Sequence, residues 1–383
     1  MKAFFKRRRN VVLLLILAVL AITILIFQHS IATHLRAMSV LLRFSDPNAS
    51  GFGVRFAQHP IREETGTAET TWGALNYKLY IPQDASHPHG MVIAPGVHHL
   101  GLEHPGLISL ARALAGAGIE VMTAELHDLA DYHITPRAVE MIGTSARFLS
   151  NRLNQDRVGV LGLSFAGGLA LLAACKPEYA DHIGFVFAIG AHDDLPRVAR
   201  FFATNTIEDP DGKTVPFEAH EYGVLILAYS HLEDFFAPQD IPIAQEALRE
   251  WLWEQPEATS KAAQLSTAGQ AEWDLLLHHR DQLRQKFLDE IKLHQDEMEP
   301  VSPHGHMAGL AVPVFVLHGA GDTVIPASES RWLAHDIPAG RLAAVLVSPA
   351  LIHVKMEDTV TLKQKWDVVH FLAQVLERTD ELK

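Results

Sequence analysis

The sequence predicts an α/β protein with a mostly parallel central sheet covered by helices on both faces. From about residue 60 onward, short apolar runs typical of buried strands alternate with amphipathic stretches of helical spacing. Two of these stretches carry apolar residues at core spacing: Ile142, Ala146, Leu149 and Leu153 in one, and Leu362, Trp366, Val369, Leu372 and Leu376 in the other. With 383 residues, of which 48% are apolar, the chain can bury a large core and exceeds the usual size of one domain.

The amino terminus predicts a membrane anchor. Residues 1–10 form a basic tail, and only Thr23 is polar in the apolar run at residues 11–27, which is long enough to cross a bilayer. Five basic residues precede the run and two follow it closely, so the positive-inside rule places the tail in the cytoplasm and the rest of the chain outside. The alternative is a secretory signal that is cleaved, although no clean A-x-A site follows. Residues 28–59 are expected to form a linker.

A serine enclosed by small residues follows the apolar strand pattern that begins at Val158. In the run Gly162-Leu163-Ser164-Phe165-Ala166 the serine would occupy a sharp strand-to-helix turn that lifts its hydroxyl clear of the sheet. The usual form is G-x-S-x-G, and Ala166 replaces the second glycine. The pattern predicts that Ser164 is a nucleophile and that the N–H of Phe165 is an oxyanion donor.

A serine nucleophile needs a base and a group that orients the base. The apolar segment at residues 312–317 leads into a Gly-rich turn that carries Asp322. A further apolar segment, residues 342–347, is followed by a loop that carries His353. The candidate residues therefore follow one another in the order Ser, Asp, His.

Two alternatives remain open for these roles. Asp193 or Asp194, which come after the apolar run at residues 183–189, could supply the acid instead of Asp322. His318 lies at the end of a strand and could line the site without acting as the base.

With these motifs in this order the chain resembles the α/β-hydrolase family over about residues 60–196 and 311–383. The resemblance implies a triad of Ser164, Asp322 and His353 and a second oxyanion donor, the N–H of Val97, where Pro95-Gly96 replaces the His-Gly of many relatives. It implies cleavage of a carboxylic ester through an acyl-enzyme. The same triad would also serve a thioesterase, an amidase or an acyltransferase, and a non-catalytic membrane-tethered module is a further alternative.

The long segment between the two parts of this core, residues 197–310, is expected to fold as a helical lid over the active site. Its apolar residues have helical spacing at Leu276, Leu283, Phe287 and Ile291. The apolar strip at residues 222–229 could be a helix or a strand. An insertion remote from the chemistry is the alternative.

Composition limits the partners and cofactors. The net charge is −13, which argues against nucleic acid and leaves a small-molecule or lipid-like ester as the expected substrate. No phosphate-binding loop occurs, so no cofactor is expected. His98, His99 and His104 invite a metal hypothesis, but they lack the i, i+4 spacing of a helical zinc site, and no metal is expected. The single cysteine, Cys175, excludes an intramolecular disulfide and is expected to be a small core residue. The oligomeric state is not predicted.

Overall fold

The computed structural model describes residues 28–352, 355–356 and 360–382. The predicted anchor at residues 11–27 and the predicted base His353 lie outside these residues. Within them, no helix combines the length and the apolar character that a membrane crossing requires.

The described residues contain twelve strands. In chain order they are β1 (Ile61–Thr70), β2 (Gly73–Pro82), β3 (Gly90–Ala94), β4 (Glu120–Ala124), β5 (Val158–Leu163), β6 (Ile183–Ile189), β7 (Thr206–Glu208), β8 (Thr214–Pro216), β9 (Val314–Gly319), β10 (Leu342–Ser348), β11 (Leu351–Ile352) and β12 (Lys355–Met356). Eight of them form the central sheet, in the spatial order β1-β2-β4-β3-β5-β6-β9-β10. The six strands from β4 to β10 are parallel, and β1 and β2 extend the sheet as an antiparallel hairpin.

Helices cover this sheet and build the insertion. They are α1 (28–45), α2 (Pro105–Gly116), α3 (His127–Ala130), α4 (Pro136–Leu153), α5 (Phe165–Cys175), α6 (Pro177–Ala180), α7 (Leu195–Thr204), α8 (Tyr222–Ser230), α9 (Ile241–Leu252), α10 (Ala258–Ala262), α11 (Thr267–His278), α12 (Arg284–Leu293), α13 (Gln295–Met298), α14 (Ser328–Asp336) and α15 (Leu362–Asp380). Helices α4 and α5 share a core with one face of the sheet, and α1, α2 and α15 share a core with the other. The predicted fold class, a mostly parallel sheet between two helical layers, is confirmed. Strands β3 to β6 and β9 are almost continuously buried, as a parallel sheet covered on both faces requires.

The linker prediction for residues 28–59 is wrong for its first half. Residues 28–45 form α1, which packs on the core rather than connecting two parts of the chain. Its buried residues Thr33, Ala37 and Val40 follow helical spacing, and Arg36 forms an ion pair with Asp380 at 2.7 Å. The polar residues scattered among these positions hide the stripe, because they occupy the exposed face.

The apolar stripe predicted for the carboxy-terminal helix is buried only in part. Val369, Leu372 and Leu376 of α15 lie in the core, whereas Leu362 is 86% exposed and Trp366 is 56% exposed. The first turns of α15 therefore extend beyond the sheet that its later turns cover.

The insertion between α7 and β9 is largely helical. The apolar residues that the sequence placed at helical spacing, Leu276, Leu283, Phe287 and Ile291, are all buried. The strip at residues 222–229 is helical, in α8, and one short hairpin, β7 with β8, lies between α7 and α8.

Candidate active site

Ser164 occupies the turn between β5 and α5 with a backbone conformation that non-glycine residues seldom adopt, φ 56° and ψ −133°. Such strain persists only where the surroundings fix the backbone. The Ser164 N–H donates to the carbonyl of Ile189 on β6 at 2.8 Å, and the Ser164 carbonyl accepts the N–H of Gly167 at 2.9 Å. The turn is therefore held both by the neighbouring strand and by the first turn of the helix.

Small residues around the serine are a steric requirement of this turn. A Cβ on Gly162 would lie 2.6 Å from the Cα of Gly167, and a Cβ on Gly167 would lie 2.6 Å from the Cβ of Ala191. Both distances are too short for carbon atoms. Strand β5, helix α5 and the loop after β6 can therefore approach one another only because these positions are glycine.

The predicted oxyanion donors are backbone amides on either side of the serine. Phe165 is the first residue of α5, where an N–H group has no partner within the helix. The loop after β3 lies against the turn, since a Cβ on Gly96 would lie 3.1 Å from the Cβ of Ser164. Val97 follows in this loop and is half-buried. Strands β3 and β5 are paired neighbours, which explains why the two segments meet.

Asp322 is fully buried in the turn after β9. One of its carboxylate oxygens, Oδ1, accepts the N–H groups of Val324 at 2.9 Å and Ile325 at 3.0 Å. Strand β6 alone separates β9 from β5, so Asp322 and Ser164 leave the same edge of the sheet from strands about 10 Å apart. The turn thus presents a fixed, ionisable carboxyl group at the edge of the sheet where the serine lies.

His318 supports the turn that carries Asp322. Its Nε2 donates to the carbonyl of Ile325 at 2.8 Å, and its Nδ1 accepts the hydroxyl proton of Ser330 at 2.5 Å. Nε2 also lies 3.5 Å from the Asp322 carboxylate. Because both ring nitrogens are engaged and the side chain is buried, His318 serves here as a structural residue beside the acid.

The loop predicted to carry the base begins at the same edge of the sheet. Ser348, the last residue of β10, is in register with Gly319, the last residue of β9, so the chain leaves β10 beside the acid turn. Leu351, in the loop that follows, is buried. His353 lies outside the described residues, and its role as the base stays a prediction.

The alternative acids belong to a buried ion network instead. Asp193 accepts a hydrogen bond from Arg197 Nη2 at 2.8 Å, and Asp194 caps α7 through the N–H of Arg197 at 3.0 Å. Glu329 accepts the N–H groups of both aspartates and binds Arg197 Nε at 2.6 Å. Burial, and then the neighbouring Glu329, raise the pKa of Asp193 to about 7 although Arg197 opposes the change.

The three histidines of the metal hypothesis lie close together at the start of α2. The ring centroid of His98 is 4.7 Å from that of His99 and 4.5 Å from that of His104. His104 caps α2 by accepting the N–H of Leu107, and His98 accepts the N–H of Leu100. One ring nitrogen of His98 and one of His104 thus accept backbone N–H groups.

The insertion contacts the turn that carries the acid and shares a cavity with the residue after the serine. The N–H of His220 donates to the carbonyl of Thr323, next to the acid, at 2.8 Å. Burial, and then the charge of Asp322, raise the pKa of Tyr222 at the start of α8. Phe165 lines a cavity of about 150 Å³ together with residues of the insertion such as Ile226 and Leu227. The insertion thus lies close to the neighbours of Asp322 and Ser164 in the chain, and its role as a lid stays a prediction.

A larger cavity lies on the other face of the sheet. It has a volume of about 330 Å³ and is lined almost entirely by apolar side chains. Leu163, which directly precedes Ser164, and Leu351, in the loop after β10, belong to its wall. Strands β5, β6 and β9 form one wall, and helices α1, α2 and α15 form the other through residues that include Val40, Leu107 and Leu372. Leu163 and Leu351 lie in the segments that lead to the predicted catalytic residues 164 and 353, and both line this one apolar cavity.

No protein-family model matches the sequence, and no curated protein is detectably similar to it. Solved structures are similar in fold. A candidate hydrolase from Legionella pneumophila superposes over 84% of this chain and 89% of its own, with a TM-score of 0.55 and 14% sequence identity. An esterase from Pyrobaculum calidifontis aligns over 92% of each chain, with a TM-score of 0.49 and 16% identity. The first of these similarities, together with the strand order and the turn at Ser164, shows that this chain has the α/β-hydrolase fold.

Proposed function

We propose that this protein is a serine hydrolase that cleaves a carboxylic ester through an acyl-enzyme. The observation that supports this most strongly is the backbone of Ser164, held at φ 56° between a parallel strand and a helix N-terminus. Strain of this kind in a non-glycine residue is characteristic of functional turns. The buried carboxylate of Asp322, presented by a turn at the same sheet edge, supports the same reaction.

In the proposed reaction the Ser164 Oγ attacks the ester carbonyl and its proton passes to the imidazole of His353. The negative oxygen of the tetrahedral intermediate accepts the N–H groups of Phe165 and Val97. The bond to the leaving alcohol then breaks as His353 returns the proton to that alcohol, and water repeats the sequence on the acyl-enzyme. Asp322 orients the imidazole and stabilises its charged form.

We assign the acid role to Asp322 rather than to Asp193. Asp193 is fully buried and its carboxylate binds Arg197, which is also bound by Glu329, so it is committed to the network around α7. The second carboxylate oxygen of Asp322, Oδ2, lies 3.5 Å from Nε2 of His318. The insertion contacts this turn through the hydrogen bond from His220 to Thr323. Asp322→Asn is expected to lower kcat/KM by a factor of about 10⁴, because an amide cannot hold the imidazole in the required tautomer. Asp193→Asn should leave activity within a few-fold of the parent.

An ester with an apolar acyl group suits the cavity beside Leu163. Its volume of about 330 Å³ lies at the lower end of the range of roughly 300–1,000 Å³ that is usual for small-molecule pockets. Residues 11–27 are proposed to anchor the chain in a membrane with the hydrolase outside the cytoplasm. The exposed side chains of Ile31, Leu362 and Trp366, on the first turns of α1 and on α15, would then lie near the lipid surface.

Hydrolysis of p-nitrophenyl esters of increasing acyl length by the full chain in detergent tests the proposal. Ser164→Ala should reduce kcat/KM by about 10⁴ or more. Ser145→Ala is the matched control, because Ser145 is also buried and its hydroxyl donates to the carbonyl of Met141 in its own helix. Equal hydrolysis by the parent and Ser164→Ala would refute the proposal. Transfer to an added alcohol that exceeds hydrolysis would identify an acyltransferase on the same triad.

A further inference from the structure

The insertion contains a cluster of metal-ligand side chains that the proposed ester chemistry does not use. His231 and Asp234 flank the turn after α8, and Glu290 and His294 lie four residues apart at the end of α12. Residues at this spacing share one face of a helix. His231, Asp234 and His294 each offer a ligand atom, and these atoms lie within 4.8 Å of one another. The cluster joins two segments of the insertion that are about 60 residues apart in the chain.

The imidazole of His294 is oriented as in a metal site. Its Nε2 lies 2.8 Å from the Asp234 carboxylate and 3.5 Å from that of Glu290. Its Nδ1 lies 3.1 Å from the carboxylate of Glu297. Metal-bound histidines usually donate their second ring nitrogen to such a carboxylate, which fixes the ring and increases its basicity. His231 stacks on His294 with ring centroids 3.5 Å apart, and one of its ring nitrogens lies within 4.8 Å of the ligand atoms of Asp234 and His294.

Two carboxylates crowd together at the centre of the cluster. Asp234 Oδ2 lies 2.8 Å and Glu290 Oε2 lies 3.5 Å from the same nitrogen, Nε2 of His294. The Oε2 atom of Glu290 is buried without a hydrogen-bond partner. A divalent cation at this position would satisfy that oxygen and remove the repulsion between the two carboxylates, which the ring nitrogens alone do not do.

We propose that His231, Asp234, Glu290 and His294 bind one Zn²⁺ ion that fastens the two segments of the insertion to each other. Two imidazoles and two carboxylates form a four-coordinate set that suits zinc, whereas calcium and magnesium prefer oxygen ligands alone. Ligand atoms around tetrahedral zinc are about 3.4 Å apart, so the side chains must move closer together, and His231 must turn out of its stack on His294 for both rings to face one ion.

The negative charges around the cluster favour a bound cation. Asp234, Glu290 and Glu297 supply negative charge, and Glu233 lies next to Asp234 in the chain. Lys286 is the cation that faces Glu290 from α12, and its ammonium group is paired with Glu272 at 2.8 Å.

A second cluster of similar composition provides the matched control. Asp193, His304 and Asp336 also place ligand atoms within 4.8 Å of one another. Arg197 lies 2.8 Å from the Asp193 carboxylate, and its guanidinium already neutralises the charge that a dication would need. His304→Gln therefore removes a histidine of comparable surroundings without touching the proposed zinc site.

Calorimetric titration of the metal-free full chain with Zn²⁺ tests the proposal. We expect saturable binding of one ion per chain. Substitutions His231→Asn, Glu290→Gln and His294→Gln should each weaken binding by 100-fold or more, while His304→Gln should bind as the parent does. Far-UV circular dichroism establishes whether each variant is folded. If a histidine variant does not fold, Glu290→Gln, the most conservative change, still tests the site.

Two further readouts separate this proposal from the hydrolase proposal. Zn²⁺ should raise the Tm of Ser164→Ala as much as that of the parent, since the site does not depend on the serine. Co²⁺ in place of Zn²⁺ should give the visible absorption of a four-coordinate complex in the parent and lose it in His294→Gln. The absence of saturable binding to the parent, or equal binding to the parent and His294→Gln, would overturn the zinc site.

Discussion

Replacing Asp193 with asparagine should change how the stability of this protein depends on pH. Asp193 has no exposed surface and has a pKa raised to about 7, mainly by burial. The usual value for an aspartate is 3.8. Asparagine keeps the size of the side chain and an oxygen for the hydrogen bond from Arg197, but it does not titrate. The substitution therefore isolates the free energy of ionising this one buried carboxyl group.

The sign follows from proton binding. Between pH 3.8 and about 7 the folded protein holds a proton on Asp193 that the unfolded chain has lost, so the free energy of unfolding falls as the pH rises through this window. The difference between the two pKa values corresponds to about 4 kcal/mol in total, and about 3 kcal/mol of this is expressed between pH 4.5 and 8. The hydrogen bond with Asp336 raises the pKa of His304 above 6.5, so its stabilising charge is lost only above that pH, and both proteins retain Asp336.

Urea unfolding at several pH values measures this effect as the difference between the two proteins. The free energy of unfolding of Asp193→Asn minus that of the parent should increase by about 3 kcal/mol from pH 4.5 to pH 8. The substitution also changes the free energy of unfolding by an amount that does not depend on pH, because the amide replaces a buried oxygen that has no hydrogen-bond partner. This constant change does not affect how the difference varies with pH. Asp181→Asn is the control, since the Asp181 side chain is 91% exposed. A difference that stays flat across the range would refute the account of Asp193.

Three other predictions follow from the core. Arg197→Met should cost about 3–5 kcal/mol in the free energy of unfolding at pH 8, because Asp193 and Glu329 would be left buried without their cation, and urea unfolding measures this cost. Gly167→Ala should lower the Tm and the esterase activity together, whereas Gly321→Ala, whose Cβ would meet open space, should leave the Tm unchanged. Burial raises the pKa of Cys175 to about 11, so only about one thiol in 10³ is ionised at pH 8, and its reaction with a disulfide reagent should be on the order of 100-fold slower than that of a free thiol.

Local sequence patterns were sufficient for the fold class and for the turn at Ser164. Strands buried on both faces must be apolar throughout, and a turn that brings β5 against α5 must have glycine at positions 162 and 167. Each requirement produces a sequence pattern that spans only a few residues. The position of Asp322 at the edge of the sheet could be predicted for a similar reason, because a glycine-rich turn carries it just after an apolar strand.

Contacts between distant segments could not be predicted in this way. The binding of Arg197 by Glu329 joins residues 132 positions apart, and no local pattern around either residue signals it. The cluster at His231 and His294 depends in the same way on how the insertion folds back on itself. Helix α1 was missed for a different reason. Its buried stripe includes Thr33 and Ala37, which are too small or too polar to stand out as an apolar face.

The central claim is that Ser164 is the nucleophile, and covalent labelling with a fluorophosphonate tests it most directly. The parent protein should gain one adduct, and mass spectrometry of its peptides should place that adduct on Ser164. Ser164→Ala should gain none, and Ser145→Ala should label at the rate of the parent. An adduct on another residue, or no adduct on the folded parent, would contradict the claim.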